Sequence, residues 1–182
     1  MAKRDKSTIT IGSAVPYCMP YTDSVPTIDE ICKEEYRLGY IKGGAALEYT
    51  EETYEEKDDL GYVSKVITTS EEALLKMGLL TWNGTTLQQL IDRCKVTEAD
   101  GKRVTCIGGP GNAQGKYYAV CLHHKDPVDG DLWLMIVGRN TAGATLTLAT
   151  DEGSVIESEF KAIKALDENG TLVMLTEEIP AA

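Results

Sequence analysis

The sequence lacks the features that let a protein grip nucleic acid, cross a membrane or be secreted. Its 182 residues carry only 18 basic side chains against 29 acidic ones, a formal net charge of −11, whereas surfaces that bind DNA or anionic lipid are normally basic. No apolar run approaches the roughly 20 residues that span a bilayer. The charged start, residues 1–6, has no apolar stretch typical of a signal peptide. These absences predict a protein made and kept in a cytoplasm.

The cysteine pattern fits neither a disulfide framework nor a metal site. The five cysteines are Cys18, Cys32, Cys94, Cys106 and Cys121. Their number is odd and no two form a CxxC motif, whereas disulfide scaffolds use even, dense sets. The pattern predicts reduced thiols and leaves zinc ligation as an unsupported alternative.

What the chain does have is 42% hydrophobic residues, too many for a disordered protein, and regularly placed turn signals. Asp100-Gly101, Asp129-Gly130 and Asn169-Gly170 favour two-residue hairpin turns, because both central residues adopt positive φ. With a looser turn at residues 151–153, they predict an antiparallel meander. Its strands would cover residues 116–124, 132–137, 144–149, 155–166 and 171–175. Both parities of residues 117–122 are apolar, which predicts burial on both faces.

The first half predicts long strands with one parity facing a core. In residues 41–49 the odd positions are apolar or glycine, so the even positions, which include Lys42 and Glu48, are expected to face solvent or a channel. The pair Gly43-Gly44 predicts a bulge or a close backbone approach. Two further β-like runs follow at residues 62–69 and 73–82.

One helix is well signalled, over about residues 86–94. Thr86 and Gln89 fit a capping box, and an apolar stripe at helical spacing runs from Leu87 to Cys94. This helix is expected to cover part of a sheet.

The N-terminal region predicts little regular structure. A weaker helix begins at Thr27, with Glu30 three residues on. Prolines at positions 16, 20 and 26 predict that residues 1–26 form an extended arm, which leaves residues 27–182 as a single β domain.

An acidic stretch dominates the charge of the chain. Residues 48–59 hold seven acids and one lysine, more than half of the net charge. On a strand these acids fall on both faces, and a monomer cannot bury that many carboxylates without partners. We therefore expect residues 48–61 to project, either as a solvated loop or as a hairpin arm that contacts another subunit. Tyr49 and Tyr54 supply the amphipathic groups that such a contact uses.

Catalytic and metal-binding patterns are weak. His123 and His124 are neighbours on a predicted strand, so they point to opposite faces and cannot share one metal. Residues 126–131 are acid-rich but lack the ligand spacing of an EF-hand, and residues 108–116 lack the ending of a phosphate loop. No serine-nucleophile or Cys–His pattern is present. We expect no enzymatic activity, cofactor or metal site.

The order of several segments resembles a known family. Residues 38–49 read LGYIKGGAALEY, and after the acidic stretch residues 59–67 read DLGYVSKVI and residues 72–83 read EALLKMGLLTWN. This succession resembles the major tail tube proteins of long-tailed, non-contractile bacteriophages. In that family an LGYxxGG strand leads through an acidic segment to an EAxLKxGLLTWN-type strand and a helix. Residues 139–148, 155–162 and 167–172 are similar to its closing strands and final turn, whereas residues 97–128 match nothing in it.

The resemblance implies a mainly β fold, a β-sandwich or partial barrel with a flanking helix and a long hairpin arm. Six subunits would form a ring, and rings would stack into the hollow tail tube through which phage DNA enters the host. The implied partners are other copies of the chain, the tape-measure protein, and the tail terminator and distal tail proteins. DNA would pass without specific binding, which agrees with the acidic composition because carboxylates repel its backbone. The protein would reside in the virion tail after synthesis in the bacterial cytoplasm, with no membrane partner.

Two sets of residues are candidates for function under this interpretation. The lumen-facing candidates have the even parity of the first long strand or lie opposite it: Lys42, Glu48, Glu52, Glu72 and Lys76. A bulge at Gly43-Gly44 would reverse this parity. The inter-ring candidates combine N-terminal cations with the acidic stretch, and we expect the two groups to pair across an interface. They are Lys3, Arg4, Lys6, Glu51, Tyr54, Glu55, Glu56, Asp58 and Asp59.

Other functions stay open at this point. The inner tube protein of a contractile tail or injection system would look much the same. A monomeric β-sandwich that binds carbohydrate or protein would be expected to carry an aromatic cluster, and one Phe, two Trp and nine scattered Tyr do not form one in the sequence. A small enzyme with an unrecognised site is the third alternative.

Overall fold

The computed structural model describes residues 13–127, 130–151 and 153–179, and these are mainly β. In chain order the elements are β1 (Val15–Pro20), α1 (Ile28–Ile31), β2 (Ile41–Lys57), β3 (Ser64–Leu79), α2 (Gly84–Leu90), β4 (Cys94–Ala99), β5 (Lys102–Ile107), β6 (Tyr118–His124), β7 (Leu132–Asn140), β8 (Ile156–Lys164) and β9 (Val173–Glu177). Short 3₁₀ turns lie at Glu34–Tyr36 and Pro110–Asn112. The mainly β prediction is confirmed, whereas the sandwich or partial barrel of tail-tube type stays a prediction.

Seven strands form one antiparallel sheet, and β4 and β5 form a separate hairpin. The order in the large sheet is β1-β6-β7-β8-β3-β2, with β9 also paired to β7. One edge of β7 is shared, because residues 132–136 pair with β9 and residues 137–140 pair with β8. A register shift at Val137/Gly138 marks the point where the partner changes.

Apolar clusters lie on both faces of the large sheet, and the second of them is confined to the part of the sheet formed by β1, β6, β7 and β9. One core cluster joins Leu75 of β3, Val120 of β6 and Phe160 of β8 to Leu87 and Leu90 of α2. The second cluster contains Ile31 of α1 with Ala119, Cys121 and Val137. Alternate residues of β6 enter opposite clusters, and the whole strand is buried. The prediction that this strand is buried on both faces is confirmed.

The flanking helix lies earlier than residues 86–94. Asn83 is the N-cap of α2, and its side-chain oxygen accepts hydrogen bonds from the backbone N–H groups of Thr85 (2.9 Å) and Thr86 (3.1 Å). Thr86 is thus the third residue of the helix rather than its cap, and Cys94 already belongs to β4. The predicted start of α1 is confirmed, because Thr27 caps it with Glu30 in a capping box.

Three predictions about chain segments are wrong. The expected arm of residues 1–26 contains β1, which pairs with β6 and buries Tyr17 and Cys18; residues 1–12 lie outside the described part. Residues 144–149 form no strand, and Leu148 is 89% exposed. Asn169-Gly170 lies in a turn, but β9 pairs with β7 because β3 and β7 already occupy both edges of β8.

Two of the predicted hairpins are present in the structure. Asp100 (φ 51°) and Gly101 (φ 71°) join β4 to β5 as a two-residue turn, as predicted. Strands β6 and β7 pair as the predicted antiparallel hairpin, but residues 125–131 connect them, so the connection is longer than the expected two-residue turn. Asp129 of the predicted turn lies outside the described residues.

Candidate functional site: the acidic arm and the charged sheet face

The β2–β3 hairpin runs beyond the rest of the domain as a two-stranded ribbon, residues 50–72, which we call the acidic arm. Strand β8 pairs with β3 only along Leu74–Leu79, so no strand of the described residues continues the sheet beside the arm on that side. The register pairs Tyr49 with Ala73 at the base and Lys57 with Ser64 near the tip. At ~3.3 Å per residue this corresponds to a projection of about 26 Å. No residue between 50 and 72 belongs to either core cluster.

The tip of the arm exposes large apolar side chains. Leu60 is 76% exposed, Tyr62 83% and Val63 69%. The turn that carries them is held by Asp58, whose carboxylate accepts a hydrogen bond from the backbone N–H of Val63 (2.7 Å) and whose own N–H donates to the carbonyl of Val63 (3.0 Å). Tyr54, Val66 and Ile67 continue the exposed apolar surface toward the base. Exposed apolar groups in one contiguous segment are typical of an interaction surface.

The strand register divides the arm into two faces. The odd face consists of Glu51, Thr53 and Glu55 on β2 with Glu71, Thr68 and Val66 opposite them on β3. The even face consists of Glu52, Tyr54 and Glu56 with Ser70, Ile67 and Lys65 opposite them. A bulge between these pairings inserts Thr69 on β3, and its hydroxyl donates to the carbonyl of Glu52 (3.1 Å). Acids therefore lie on both faces.

Uncompensated negative charge is concentrated near the base of the odd face. Glu51 lies directly opposite Glu71, and like charges at such positions destabilise an isolated hairpin. The Tyr49 hydroxyl donates a hydrogen bond to Glu51 (2.8 Å), which raises the pKa of Tyr49 to about 12. Farther out, Lys57 lies 3.0 Å from Glu55.

Most of the lumen candidates lie on one exposed face of the large sheet. Glu48 and Glu52 of β2 share this face with Glu72 and Lys76 of β3, opposite the buried side chains of Ala73, Leu75 and Met77. We call this surface the charged sheet face; it continues onto Glu159 and Lys161 of β8.

The glycine bulge does not reverse the parity of β2. Ile41 pairs with Leu79 and Ala45 with Met77, so the bulge holds two extra residues rather than one. An even insertion returns every later side chain to the face it would otherwise occupy. Lys42 is exposed within the bulge itself and has no register partner.

Ion pairs cross three strands on the charged sheet face. Lys76 Nζ lies 2.7 Å from Glu48 Oε2 and 3.4 Å from Glu159 Oε2, and the hydrogen bond with Glu48 raises the pKa of Lys76. Lys161 pairs with Glu72. Glu52 accepts a hydrogen bond from the Ser70 hydroxyl (2.9 Å). These four acids and two lysines leave a net charge of −2 on this group.

The inter-ring candidates are distributed over the whole arm. Glu51 and Glu55 lie on the odd face, Tyr54 and Glu56 on the even face, and Asp58 and Asp59 in the tip. Tyr54 donates a hydrogen bond to Glu56, which raises the pKa of Tyr54. Lys3, Arg4 and Lys6 lie outside the described residues, so their pairing with the arm stays a prediction.

The histidine pair is accounted for by local contacts. His123 Nε2 lies 2.7 Å from Asp131 Oδ2, and this hydrogen bond lowers the pKa of Asp131. The ring of His123 also stacks on Trp133. His124 Nδ1 lies 2.9 Å from the carbonyl oxygen of Ser13. The residues that the structure describes contain no group of three or more His, Cys, Asp or Glu able to hold a metal ion.

Sequence reasoning missed one charged surface, on the β4–β5 hairpin. The register places Lys95 and Lys102 on the same outward face of this hairpin, together with Thr97, Ala99, Val104 and Cys106. The signal was present, because the Asp100-Gly101 turn already sets the register of its two flanking strands.

Neither a scan against protein-family models nor a search of curated proteins found a match for this chain. Among the described residues, the helices are too short and too polar for any of them to span a membrane.

Proposed function

We propose that this protein is a structural subunit that assembles into stacked rings and forms the hollow tail tube of a long-tailed bacteriophage. Six copies form each ring, as the sequence resemblance implies, and phage DNA passes through the tube on its way into the host. The protein has no catalytic role in this assignment. It resides in the virion tail.

The main observation behind the proposal is the acidic arm, whose residues belong to neither core cluster. A two-stranded hairpin is at best marginally stable in water by itself, and unpaired strand edges invite pairing with another chain. This arm exposes apolar side chains at its tip and sets Glu51 against Glu71. A second copy that covers the arm would bury the apolar groups and supply cations to the acids. The arm is thus better suited to an assembly than to a monomer.

The charged sheet face supports the assignment of the lumen. Its acids repel a DNA backbone, while Lys76 and Lys161 are held by carboxylates of the same face. Lysines engaged in this way are less available for phosphate contacts, which would hold DNA by counterion release. We assign Glu48, Glu52, Glu72 and Lys76 to this lumen surface, with Lys42 at its margin. The tape-measure protein fills the lumen during assembly, and the terminator and distal tail proteins close the two ends.

Negative-stain electron microscopy of the purified chain, with sedimentation velocity over a range of concentrations, tests the proposal. Hollow tubes or six-fold rings are expected. The decisive variant replaces residues 50–72 with Asn-Gly. Tyr49 and Ala73 are register partners, so a two-residue turn joins them without changing the pairing. This variant should keep the circular dichroism and cooperative unfolding of the body but remain monomeric.

A matched control keeps the arm at full length and replaces an exposed residue of the body, Leu148→Ser. It should assemble like the unmodified protein. A chain that stays monomeric at high concentration would overturn the tube and favour the monomeric binding module. Assembly by the armless variant would remove the arm from the explanation.

A further inference from the structure

The outward face of the β4–β5 hairpin is a small basic surface. Side chains alternate along the hairpin: Val96 packs against the core and Thr105 lies against Gly84 of α2, whereas Lys95, Val104 and Lys102 point away from the domain. Val104 is 52% exposed. Arg103, on the inward side, pairs with Glu98 (2.6 Å). Lys95 and Lys102 form no ion pair with any residue in the described part of the chain.

The odd face of the acidic arm matches this basic surface in charge and spacing. Lys102 is opposite Ala99, so the two lysines lie four residue positions apart along the ribbon. Glu51 and Glu55 are also four positions apart. At ~3.3 Å per residue, both spacings along the ribbon are about 13 Å. The two lysines lie on adjacent strands, whereas the two glutamates lie on one strand. Each surface carries a threonine midway between the charges, Thr97 on the hairpin and Thr53 on the arm. Each also carries an exposed valine: Val104 lies opposite Thr97, and Val66 lies opposite Glu55.

We propose that the outward face of the β4–β5 hairpin receives the odd face of the acidic arm from a second copy of this chain. The inference rests on the proposed function and identifies the surface that the arm binds. Two ribbons packed face to face lie about 10 Å apart, a gap that lysine and glutamate side chains can close from both sides. Lys95 and Lys102 then lie beside Glu51 and Glu55, of which Glu55 also pairs with Lys57 of its own arm. Val104 and Val66 exclude water beside these charges.

Charge exchange provides the test. The pair Lys95→Glu/Lys102→Glu and the pair Glu51→Lys/Glu55→Lys each place like charges in contact, so each should raise the critical concentration for assembly about tenfold or more. A chain that carries all four substitutions should assemble nearly as well as the unmodified protein. Lys33→Glu/Lys125→Glu changes the net charge equally at two exposed residues elsewhere and should have little effect. Sedimentation velocity gives the critical concentration of each variant.

Cross-linking gives a second measurement that needs no charge reversal. Cys106 lies on the receiving face, opposite Lys95. A bismaleimide joins two thiols by adding each across one of its double bonds, so it should link Cys106 of one copy to position 66 of another in Val66→Cys. The matched control, Ile67→Cys, places the thiol on the even face of the arm and should give no ladder of covalent oligomers.

The outcomes separate this inference from the proposed function. If the unmodified chain assembles but Lys95→Glu/Lys102→Glu assembles equally well, the docking surface is refuted and the tube stands. Failure of the fourfold variant to recover, or equal ladders from both cysteine variants, also refutes it. A chain that never assembles overturns both proposals.

Discussion

The bulge at Gly43-Gly44 offers a sharp test of how this sheet is built. Both glycines have φ of 86°, and a Cβ added at either one would meet no heavy atom within 4 Å. The cost of Gly43→Ala/Gly44→Ala is therefore backbone strain alone, without steric collision. We expect the double variant to fold with reduced stability.

The magnitude follows from the two φ values. A left-handed backbone costs a residue with a Cβ about 1–2 kcal/mol, so two alanines cost about 2–4 kcal/mol. Alanine also restricts the unfolded chain more than glycine does, and this effect stabilises the folded state by about 0.4–1 kcal/mol at each position. The midpoints of these ranges give a net loss of about 1.5 kcal/mol, which lowers Tm by about 3–6 °C in a chain of this size. Expelling the bulge would reduce the loss, and because two residues are involved Glu48 would stay on the charged sheet face.

Urea unfolding followed by circular dichroism measures the difference. The control is Gly111→Ala, a position with open space and no left-handed φ, which should change stability by less than about 0.5 kcal/mol. Gly43→Asn/Gly44→Asn should lose less than the alanine pair, because asparagine tolerates positive φ. The reasoning is refuted if the alanine pair is as stable as the unmodified protein, or if Gly111→Ala loses as much.

Two further predictions concern the N-cap of α2 and the hydrogen bond between His123 and Asp131. Replacing the α2 cap, Asn83→Ala, should cost about 1 kcal/mol in urea unfolding, whereas Leu148→Ala, at an exposed side chain, should cost almost nothing; equal losses would contradict the cap. The hydrogen bond from His123 lowers the pKa of Asp131 below 3.8, so its stabilisation is present above about pH 4 and is lost as the pH falls through the folded-state pKa. Stability curves of the unmodified protein and Asp131→Asn should therefore converge in acid, and a constant gap from pH 7 to pH 3 would contradict this role.

The sequence correctly predicted the elements whose conformation depends on residues close together in the chain. Asp100-Gly101 made a hairpin because both residues tolerate positive φ. Gly43-Gly44 made a bulge for the same reason. The even parity of Glu48 and Glu52 on β2 also agrees with the register, because alternation within a strand is a property of the backbone.

The wrong predictions of strand pairing arise where strands that are far apart in the chain compete to pair with the same strand. Residues 144–149 alternate like a strand, but no described strand pairs with them and Leu148 stays exposed. Strand β9 could not pair with β8 because β3, which lies almost 80 residues earlier in the chain, holds one of its edges. The prolines of β1 suggested an arm, yet β1 pairs with β6 at the outer edge of the sheet, a position that tolerates missing N–H donors.

The mainly β class, the acidic segment and the turns that bound the long hairpin could all be predicted from the sequence, because each depends on composition or on residues close together in the chain. The prediction that residues 48–61 project could not give the point at which the hairpin leaves the sheet, since this depends on where β8 stops pairing with β3. Only the tertiary structure brought Glu48, Lys76 and Glu159 together across three strands. It also set Lys95 and Lys102 on one outward face, because α2 takes the other face of their hairpin.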